Sequence, residues 1–296
     1  MAVLLSAVLP IALAALVGFA IGRSFKLDLP TLARLSIYAL LPALVLQSWS
    51  NMTLALERAI AFLAAFTLNM VLLYLLVVLL GRLLHLPPDG RKSLIATTLF
   101  ANVGNMGLPF VLFTLGEAGL ERAVLYLVGS SLMIATVFPV VLKGTGLRSG
   151  LGLTLKLPVF WAAVLGVSLR VGGYGLPEAV ARAVTILAGG AIPLALLSLG
   201  IQLAQTPFRF GRNELLGAGL RLIVSPLLAH SVGSALGLQG LDLQVLILQA
   251  AMPVAVNSLI WVTELGGDRD RVSRTILLST LLSFLTLPLV VRLSHG

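Results

Sequence analysis

The sequence predicts an all-α membrane protein of about ten transmembrane helices, arranged as two inverted repeats of five helices. Three features support this prediction: the composition, the length of the apolar blocks and a similarity between the two halves. Of the 296 residues, 58% are hydrophobic and only 10% are charged, whereas a soluble domain carries roughly 25% charged residues. A water-soluble fold of this size cannot bury that much apolar surface, so we expect the lipid bilayer to be the solvent.

The apolar residues form blocks of about 20, the length that an α-helix needs to cross a hydrocarbon layer of roughly 30 Å. The first block has no basic segment before it and is too long for the apolar core of a signal peptide, so we interpret it as the first span. The sixth block is short and is bounded by Lys156 and Arg170. The blocks lie at about residues 2–22, 31–50, 58–80, 92–114, 120–142, 156–171, 179–204, 214–236, 243–263 and 272–293.

The basic residues predict the orientation, because Lys and Arg in short loops stay on the cytoplasmic side. Of the 20 basic residues, 14 lie in the loops after spans 1, 3, 5, 7 and 9, five lie on the opposite side, and Arg221 lies inside span 8. We therefore expect a multi-pass protein of the inner (plasma) membrane with both termini on the non-cytoplasmic side. The same short basic clusters account for the net charge of +9 without nucleic acid as a partner.

The two halves of the sequence resemble each other. From Leu115 the first half contains LGEAGLERAVLYLVGSSLMIATVFPV, and from Leu265 the second contains LGGDRDRVSRTILLSTLLSFLTLPLV. Both segments begin with a Gly-containing acidic loop, pass a pair of serines and end in a proline. Because five spans per half is an odd number, the second repeat (156–296) is predicted to be inverted relative to the first (1–143), with a short cytoplasmic linker at 144–155. Inverted repeats recur in secondary transporters, whose substrate site lies between the repeats.

Spans 4 and 9 contain the least helical segments of any span. A proline removes a backbone donor and collides with the carbonyl four residues earlier, and a helix broken in hydrocarbon needs protein or a water-filled cavity to cover it. The N-terminal ends of half-helices suit an anion such as a carboxylate, and asparagine amides both donate and accept. The alternative is that these prolines only kink packed helices. The predicted substrate-binding residues are Asn102, Gly104, Asn105, Pro109, Pro253 and Asn257.

Further polar residues in the spans are weaker candidates for lining the same cavity, and hydrogen bonding between packed helices is an equal alternative for them. Two ionisable residues lie deep in span 8. Arg221 can extend to the cytoplasmic interface, and His230 can either relay protons or donate to a neighbouring carbonyl group. The weaker cavity-lining candidates are Gln47, Ser48, Asn51, Asn69, Ser198, Gln202 and Gln249.

The chemistry of several other functions is missing from the sequence. There is no cysteine, which excludes disulfides and thiolate metal sites. All 11 acidic residues fall in loops or at predicted helix ends, so a Na⁺/H⁺ antiporter with a buried carboxylate pair is not favoured. Neither HExxH nor a serine motif with a histidine partner is present, so we predict no catalytic residue, no metal site and no cofactor, and an intramembrane enzyme is a remote alternative.

Four segments resemble the auxin efflux carrier family, which contains plant PIN carriers and bacterial malate or malonate permease-like proteins: FANVGNMGLPF from Phe100, KLPVFWAAVLGV from Lys156, AIPLALLSLGIQLA from Ala191 and MPVAVNSLIWVTELGGD from Met252. The resemblance covers essentially the whole chain. It implies a scaffold domain made of spans 1, 2, 6 and 7 and a transport domain in which the broken helices 4 and 9 cross. The prolines that match the family's crossing are Pro109 and Pro253, with Asn105 and Asn257 beside them.

These inferences together predict a secondary transporter that moves a small organic anion, a carboxylate, by alternating access. Family members carry organic anions, and here the halves are joined by only a short linker, so the loop-based control of PIN proteins is not expected. Uniport and coupling to H⁺ or Na⁺ both remain open, as do import and export. Besides lipid, a second copy of the chain is a candidate partner. A receptor or regulatory subunit with a transporter fold is the alternative function.

Overall fold

A computed structural model of the chain describes residues 8–143, 147–206 and 211–294. These residues are almost entirely helical, and the one β-type contact among them is an isolated antiparallel bridge. Helix α6 contains a kink at Gly116, whose φ of 68° is easily reached only by glycine. The helices are α1 (Leu9–Ser24), α2 (Leu29–Leu35), α3 (Leu41–Ser50), α4 (Leu56–Leu83), α5 (Pro88–Leu99), α6 (Leu108–Lys143), α7 (Leu147–Thr154), α8 (Pro158–Gly172), α9 (Glu178–Gln205), α10 (Arg212–Gly219), α11 (Ser225–Ala235), α12 (Gly240–Ala250), α13 (Ser258–Leu265) and α14 (Arg269–Ser294).

Six helical stretches of the described residues are long and apolar enough to cross a membrane. Three shorter apolar helices, α1, α8 and α12, accompany them. Large apolar side chains stand exposed on these helices, with Ile186 at 76% and Leu285 at 70% exposure, as expected for surfaces that face lipid. The all-helical class is therefore confirmed, and the count of ten spans stays a prediction. The six stretches are Leu29–Ser50, Leu56–Leu83, Val103–Val137, Glu178–Gln205, Asn213–Ala235 and Arg269–Ser294.

Three π-helical turns whose bounds lie within the described residues each stand shortly before a proline. In each case the proline lies two residues beyond the end of the turn, so the carbonyl four residues before it falls inside the turn. That carbonyl cannot receive a hydrogen bond from the proline and is pushed aside by its ring, which explains the wider turn. The turns are Ser36–Leu40 before Pro42, Val103–Gly107 before Pro109 and Leu220–Val224 before Pro226.

The described chain forms two compact units, each of which draws on both halves of the sequence. Unit 1 comprises the described residues within Met1–Val8, Glu57–Val103 and Thr206–Gly296, and unit 2 those within Leu9–Leu56 and Gly104–Gln205. Unit 2 contains α1, α2, α3, α8 and α9, the helices of predicted spans 1, 2, 6 and 7, together with α6 and α7. Helix α7 lies within the segment predicted as a linker. The predicted division into two sequence repeats, 1–143 and 156–296, stays a prediction.

In unit 2, α1 and α9 pack with their backbones in close contact. A Cβ atom added to Gly18 would lie 2.3 Å from the carbonyl oxygen of Leu197, and one added to Gly200 would lie 1.9 Å from that of Ala15. Small residues of this kind let two helices approach closely where the hydrophobic effect does not drive association. The two glycines therefore fix how closely these helices pack.

A buried carboxylate organises the loop after α3 in unit 2. Glu121 accepts hydrogen bonds from the peptide N–H of Thr53 and, at 3.1 Å, from that of Leu54. The hydroxyl of Thr53 donates to the second carboxylate oxygen at 3.0 Å, and Arg170 donates to the carbonyl of Leu54 at 2.7 Å. The loop thus depends on long-range contacts from α6 and α8.

Candidate functional site

The first helix interruption follows α5. The helix ends at Leu99, Phe100 has extended backbone angles, and helical geometry resumes in the π-helical turn at Val103. Asn102 is buried within this interruption, and Asn105 is half-buried in the turn that follows. Gly104 lies in the same turn and is also half-buried.

Pro109 does not break the helix, contrary to its expected position at the break. It is the second residue of α6 and is buried. The π-helical turn Val103–Gly107 lies directly before α6 and accommodates the ring and the missing N–H of the proline. The interruption therefore lies at Phe100–Asn102, on the N-terminal side of this turn.

The second interruption separates α12 from α13. Helix α12 ends at Ala250, and helical geometry resumes at Ser258. Pro253 lies in the non-helical segment between them and is buried, whereas Asn257 is exposed and is the N-cap residue of α13. The side chain of Asn257 makes no capping hydrogen bond to α13, so its amide is not engaged by the helix that it precedes.

The two interruptions pair with each other inside unit 1. The N–H of Asn102 donates to the carbonyl oxygen of Pro253 at 2.8 Å, and the N–H of Ala255 donates to that of Phe100 at 2.8 Å. These bonds form the antiparallel bridge between Ala101 and Val254. Backbone groups released by a broken helix are costly in an apolar environment unless they are bonded, and here each interruption supplies partners for the other.

A serine of α14 satisfies one more backbone group of the paired interruptions. The N–H of Val254 donates to Oγ of Ser279 at 3.1 Å, and this hydroxyl donates in turn to the carbonyl of Ile276 at 3.0 Å. Ser279 is completely buried. With Ser283 it forms an i, i+4 pair whose spacing predicts close helix packing, whereas its acceptor function depends on a residue 25 positions away.

Three buried side-chain amides of unit 1 have atoms without a described hydrogen-bond partner. Nδ2 of Asn102 is one, and both amide atoms of Asn69 in α4 and of Gln249 in α12 are the others. A buried polar group left unpaired costs about 1–3 kcal/mol, so each such group in a folded protein needs a reason. A ligand or water that hydrogen-bonds to them would provide one.

The remaining weaker candidates lie in unit 2. Nε2 of Gln47 donates to the hydroxyl of Thr185 in α9 at 3.2 Å, which is the interhelical bonding stated as the alternative for this group. The others differ in exposure: Ser48 and Ser198 are half-buried, Asn51 is exposed and Gln202 is buried.

Arg221 contradicts the expectation that its side chain extends to the cytoplasmic interface. It is completely buried, and its guanidinium donates to three backbone carbonyls of unit 1. Nη1 bonds to Thr98 at 2.7 Å, Nη2 to Ala250 at 2.5 Å and Nε to Met252 at 3.0 Å. Thr98 lies in the last turn of α5, and Ala250 is the last residue of α12. The expectation is wrong because these helix ends offer strong acceptors inside the protein.

His230 lies on an exposed side of α11. Its assignment as a proton-linked residue stays a prediction. A shallow, open groove along α4 is almost entirely apolar, and we assign no substrate to it, since it offers a single hydroxyl as a polar group. The residues that line the groove are Ile60, Leu63, Ala64, Thr67, Leu68 and Val71.

The chain matches the family described as membrane transport protein over residues 3–152 and 147–291. An uncharacterized transporter of Methanothermobacter thermautotrophicus is 36% identical over 196 residues, which are 64% of this chain and 63% of that protein. A Rhizobium meliloti protein provisionally named as a malonate transporter is 27% identical over 200 residues, 63% of this chain and 62% of that protein. Auxin efflux carrier component 1 of Arabidopsis thaliana is 27% identical over 111 residues, 36% of this chain and 18% of the plant protein. The alignments thus span less than two thirds of the length of each of these three relatives.

Proposed function

Since the chain belongs to the auxin efflux carrier family of membrane transport proteins, we propose that it is a secondary transporter that moves a small organic anion, a carboxylate, across the inner (plasma) membrane by alternating access. The chain is a multi-pass membrane protein. One relative is named for malonate, which makes short dicarboxylates the first compounds to test.

The pairing of the two helix interruptions carries this proposal. Interrupted helices at corresponding positions of two sequence halves are the usual place of a substrate site in secondary transporters. Asn102 belongs to this pairing through its backbone, while its side-chain Nδ2 stays buried without a described partner. Because Nδ2 is a donor, an acceptor such as a carboxylate oxygen would satisfy it.

The helix ends around the second interruption also favour an anion. The C-terminal end of α12 already has a cation, the guanidinium of Arg221. Helix α13 presents its N-terminal end, and such an end carries a partial positive charge and attracts negative groups. Asn257 stands at this end with its side chain unused for capping. A carboxylate would therefore meet an amide donor and a positive helix dipole.

Counterflow in proteoliposomes tests this function. Vesicles containing the purified protein are loaded with one unlabelled carboxylate, and the uptake of the same labelled compound is followed. The panel contains malonate, malate, succinate and acetate, each with and without imposed sodium and pH gradients. We expect at least one carboxylate to accumulate transiently above the level of protein-free vesicles, and the gradients distinguish uniport from coupling to Na⁺ or H⁺.

Two variants make the test specific to the site. Asn257→Ala is expected to abolish counterflow while the protein stays folded, since no described hydrogen bond depends on that side chain. Asn213→Ala, which removes an exposed amide from the first turn of α10, is the control and is expected to transport normally. Absence of counterflow for the whole panel, with monodisperse folded protein, would contradict a carboxylate carrier and favour a receptor or regulatory subunit.

A further inference from the structure

We propose that Arg221 is a positioning residue that acts as a built-in cation, holding the C-terminal ends of α5 and α12 together and thereby setting the geometry of the paired interruptions. The proposal rests on the transport function argued above, but it concerns a residue that no sequence feature marked as part of the site. Its side chain is completely buried and bonds three backbone carbonyls that belong to two different helix ends.

The electrostatics of the two helix ends explain why a cation is favourable there. The C-terminus of a helix behaves as roughly half a negative charge, because its last carbonyl groups have no partner within the helix. Helices α5 and α12 both end at the guanidinium, so together they offer about one negative charge to one positive charge. A buried arginine is costly unless it is paired and bonded, and these carbonyls provide both forms of compensation.

The geometry of the guanidinium suits this role better than that of an ammonium group. Arginine presents five N–H donors in a rigid plane, whereas lysine concentrates three donors at one atom. Here three nitrogens of the plane reach Thr98, Ala250 and Met252 at the same time. A lysine at this position keeps the charge but cannot span both helix ends in the same way.

The local backbone brings Arg221 to this place. It lies in the π-helical turn Leu220–Val224, two residues before Pro226, whose ring displaces the carbonyl of Leu222 inside the turn. A π-helical turn shifts the direction of the following side chains, and such turns are frequent at functional sites. The carbonyl acceptors of Arg221 lie within a few residues of Asn102 in the first interruption and of Pro253 in the second. A substitution of Arg221 therefore changes the backbone positions of these two predicted substrate-binding residues.

The test uses Arg221→Lys and Arg221→Met, with Arg274→Ala as the control. Arg274 of α14 also pairs inside unit 1, with Nε 2.8 Å from the carboxylate of Glu214, but it does not bond either interruption in the described contacts. Counterflow of the transported carboxylate gives KM and maximal rate for each variant. Hydrogen exchange measured by mass spectrometry reports on peptides that contain the N–H groups of Asn102 and Ala255.

We expect both Arg221 variants to raise the KM about tenfold or more and to speed exchange in the two peptides, with the smaller effect for lysine. Arg274→Ala is expected to lower the melting temperature and leave KM and the two peptides unchanged. The proposal is overturned if KM and exchange in the Arg221 variants stay within twofold of the wild type. It is also overturned if neither Arg221 variant folds while Arg274→Ala does, since Arg221 would then only anchor the fold. Failure of the proposed transport function differs from failure of the proposal about Arg221. In the first case the wild type itself shows no counterflow, while hydrogen exchange still measures the effect of the Arg221 variants on the two interruptions.

Discussion

The peptide N–H of Asn102 and the carbonyl oxygen of Pro253 are 2.8 Å apart and hydrogen-bonded. This bond joins two helix interruptions that lie in different halves of the sequence. Proline cannot donate a backbone hydrogen bond, but its carbonyl group remains a full acceptor. Pro253 therefore contributes to the site in two ways: it helps to keep α12 and α13 apart, and it offers the carbonyl that fixes Asn102.

Asn102→Ala is predicted to impair transport far more than stability. The buried Nδ2 has no described partner, so its removal relieves a desolvation cost of about 1–3 kcal/mol that offsets the cost of the small cavity left behind. We expect the free energy of unfolding to change by less than about 1 kcal/mol and the KM of the carboxylate to rise about tenfold. Thermal unfolding and counterflow kinetics measure the two effects.

Thr97→Val is the control for Asn102→Ala. Its hydroxyl is buried in α5 and donates to the carbonyls of Ser93 and Leu94 within the same helix. Valine has nearly the same shape, so transport is expected to be unchanged. If Asn102→Ala lowered the free energy of unfolding by well over about 1 kcal/mol and left the KM of the carboxylate unchanged, the amide would be structural.

Ser279→Ala is predicted to destabilise the paired interruptions. The substitution leaves the buried N–H of Val254 without its described acceptor, and such a group costs about 1–3 kcal/mol. We expect a lower melting temperature and faster hydrogen exchange in peptides that contain Val254. Thr280→Val is the matched control, because its buried hydroxyl bonds only the carbonyl of Ile276 in the described contacts. Equal effects of the two substitutions would contradict a specific role for Ser279.

Composition along the chain was enough to predict that spans 4 and 9 are interrupted. Glycine, asparagine and proline are weak helix formers, and they concentrate in these two segments. The sequence predicts the exact position of a helix interruption less well than its existence. Pro253 lies inside the second interruption, but the first one lies before Pro109, because the π-helical turn Val103–Gly107 accommodates this proline without a break in the helix.

The role of Arg221 could not be predicted from sequence. Its acceptors are backbone carbonyls, which every residue possesses, and they lie 29, 31 and 123 positions away along the chain. A hydropathy profile gives the depth of a residue in a span but not the side of the helix on which it lies. The same limitation applies to Glu121, whose acceptor role for the N–H of Thr53 requires the folded loop.

Gly200→Ala is predicted to force α1 and α9 apart. The added methyl group would lie 1.9 Å from the carbonyl oxygen of Ala15 and 2.6 Å from the nitrogen of Phe19, both of which are rigid backbone atoms. Overpacking of this kind costs about 1–3 kcal/mol or more. Gly189→Ala is the control on the same helix, because nothing lies within 4 Å of its added methyl group, and there alanine is expected to stabilise the helix by about 0.5–1 kcal/mol. Opposite shifts in melting temperature are expected, and a tolerated Gly200→Ala would contradict the close packing.

Glu121→Gln is predicted to release the loop between α3 and α4. The carboxylate accepts from two peptide N–H groups and from the hydroxyl of Thr53, and hydrogen bonds to a charged acceptor contribute about 1.5–3 kcal/mol each. An amide keeps only one acceptor oxygen, so we expect a lower melting temperature and faster hydrogen exchange at Thr53 and Leu54. Glu117→Gln removes an exposed carboxylate one turn earlier on α6 and should change neither quantity. Unchanged hydrogen exchange at Thr53 and Leu54 in both variants would contradict this role of the carboxylate. The loop would then be held mainly by its other contacts, such as the hydrogen bond from Arg170 to the carbonyl of Leu54.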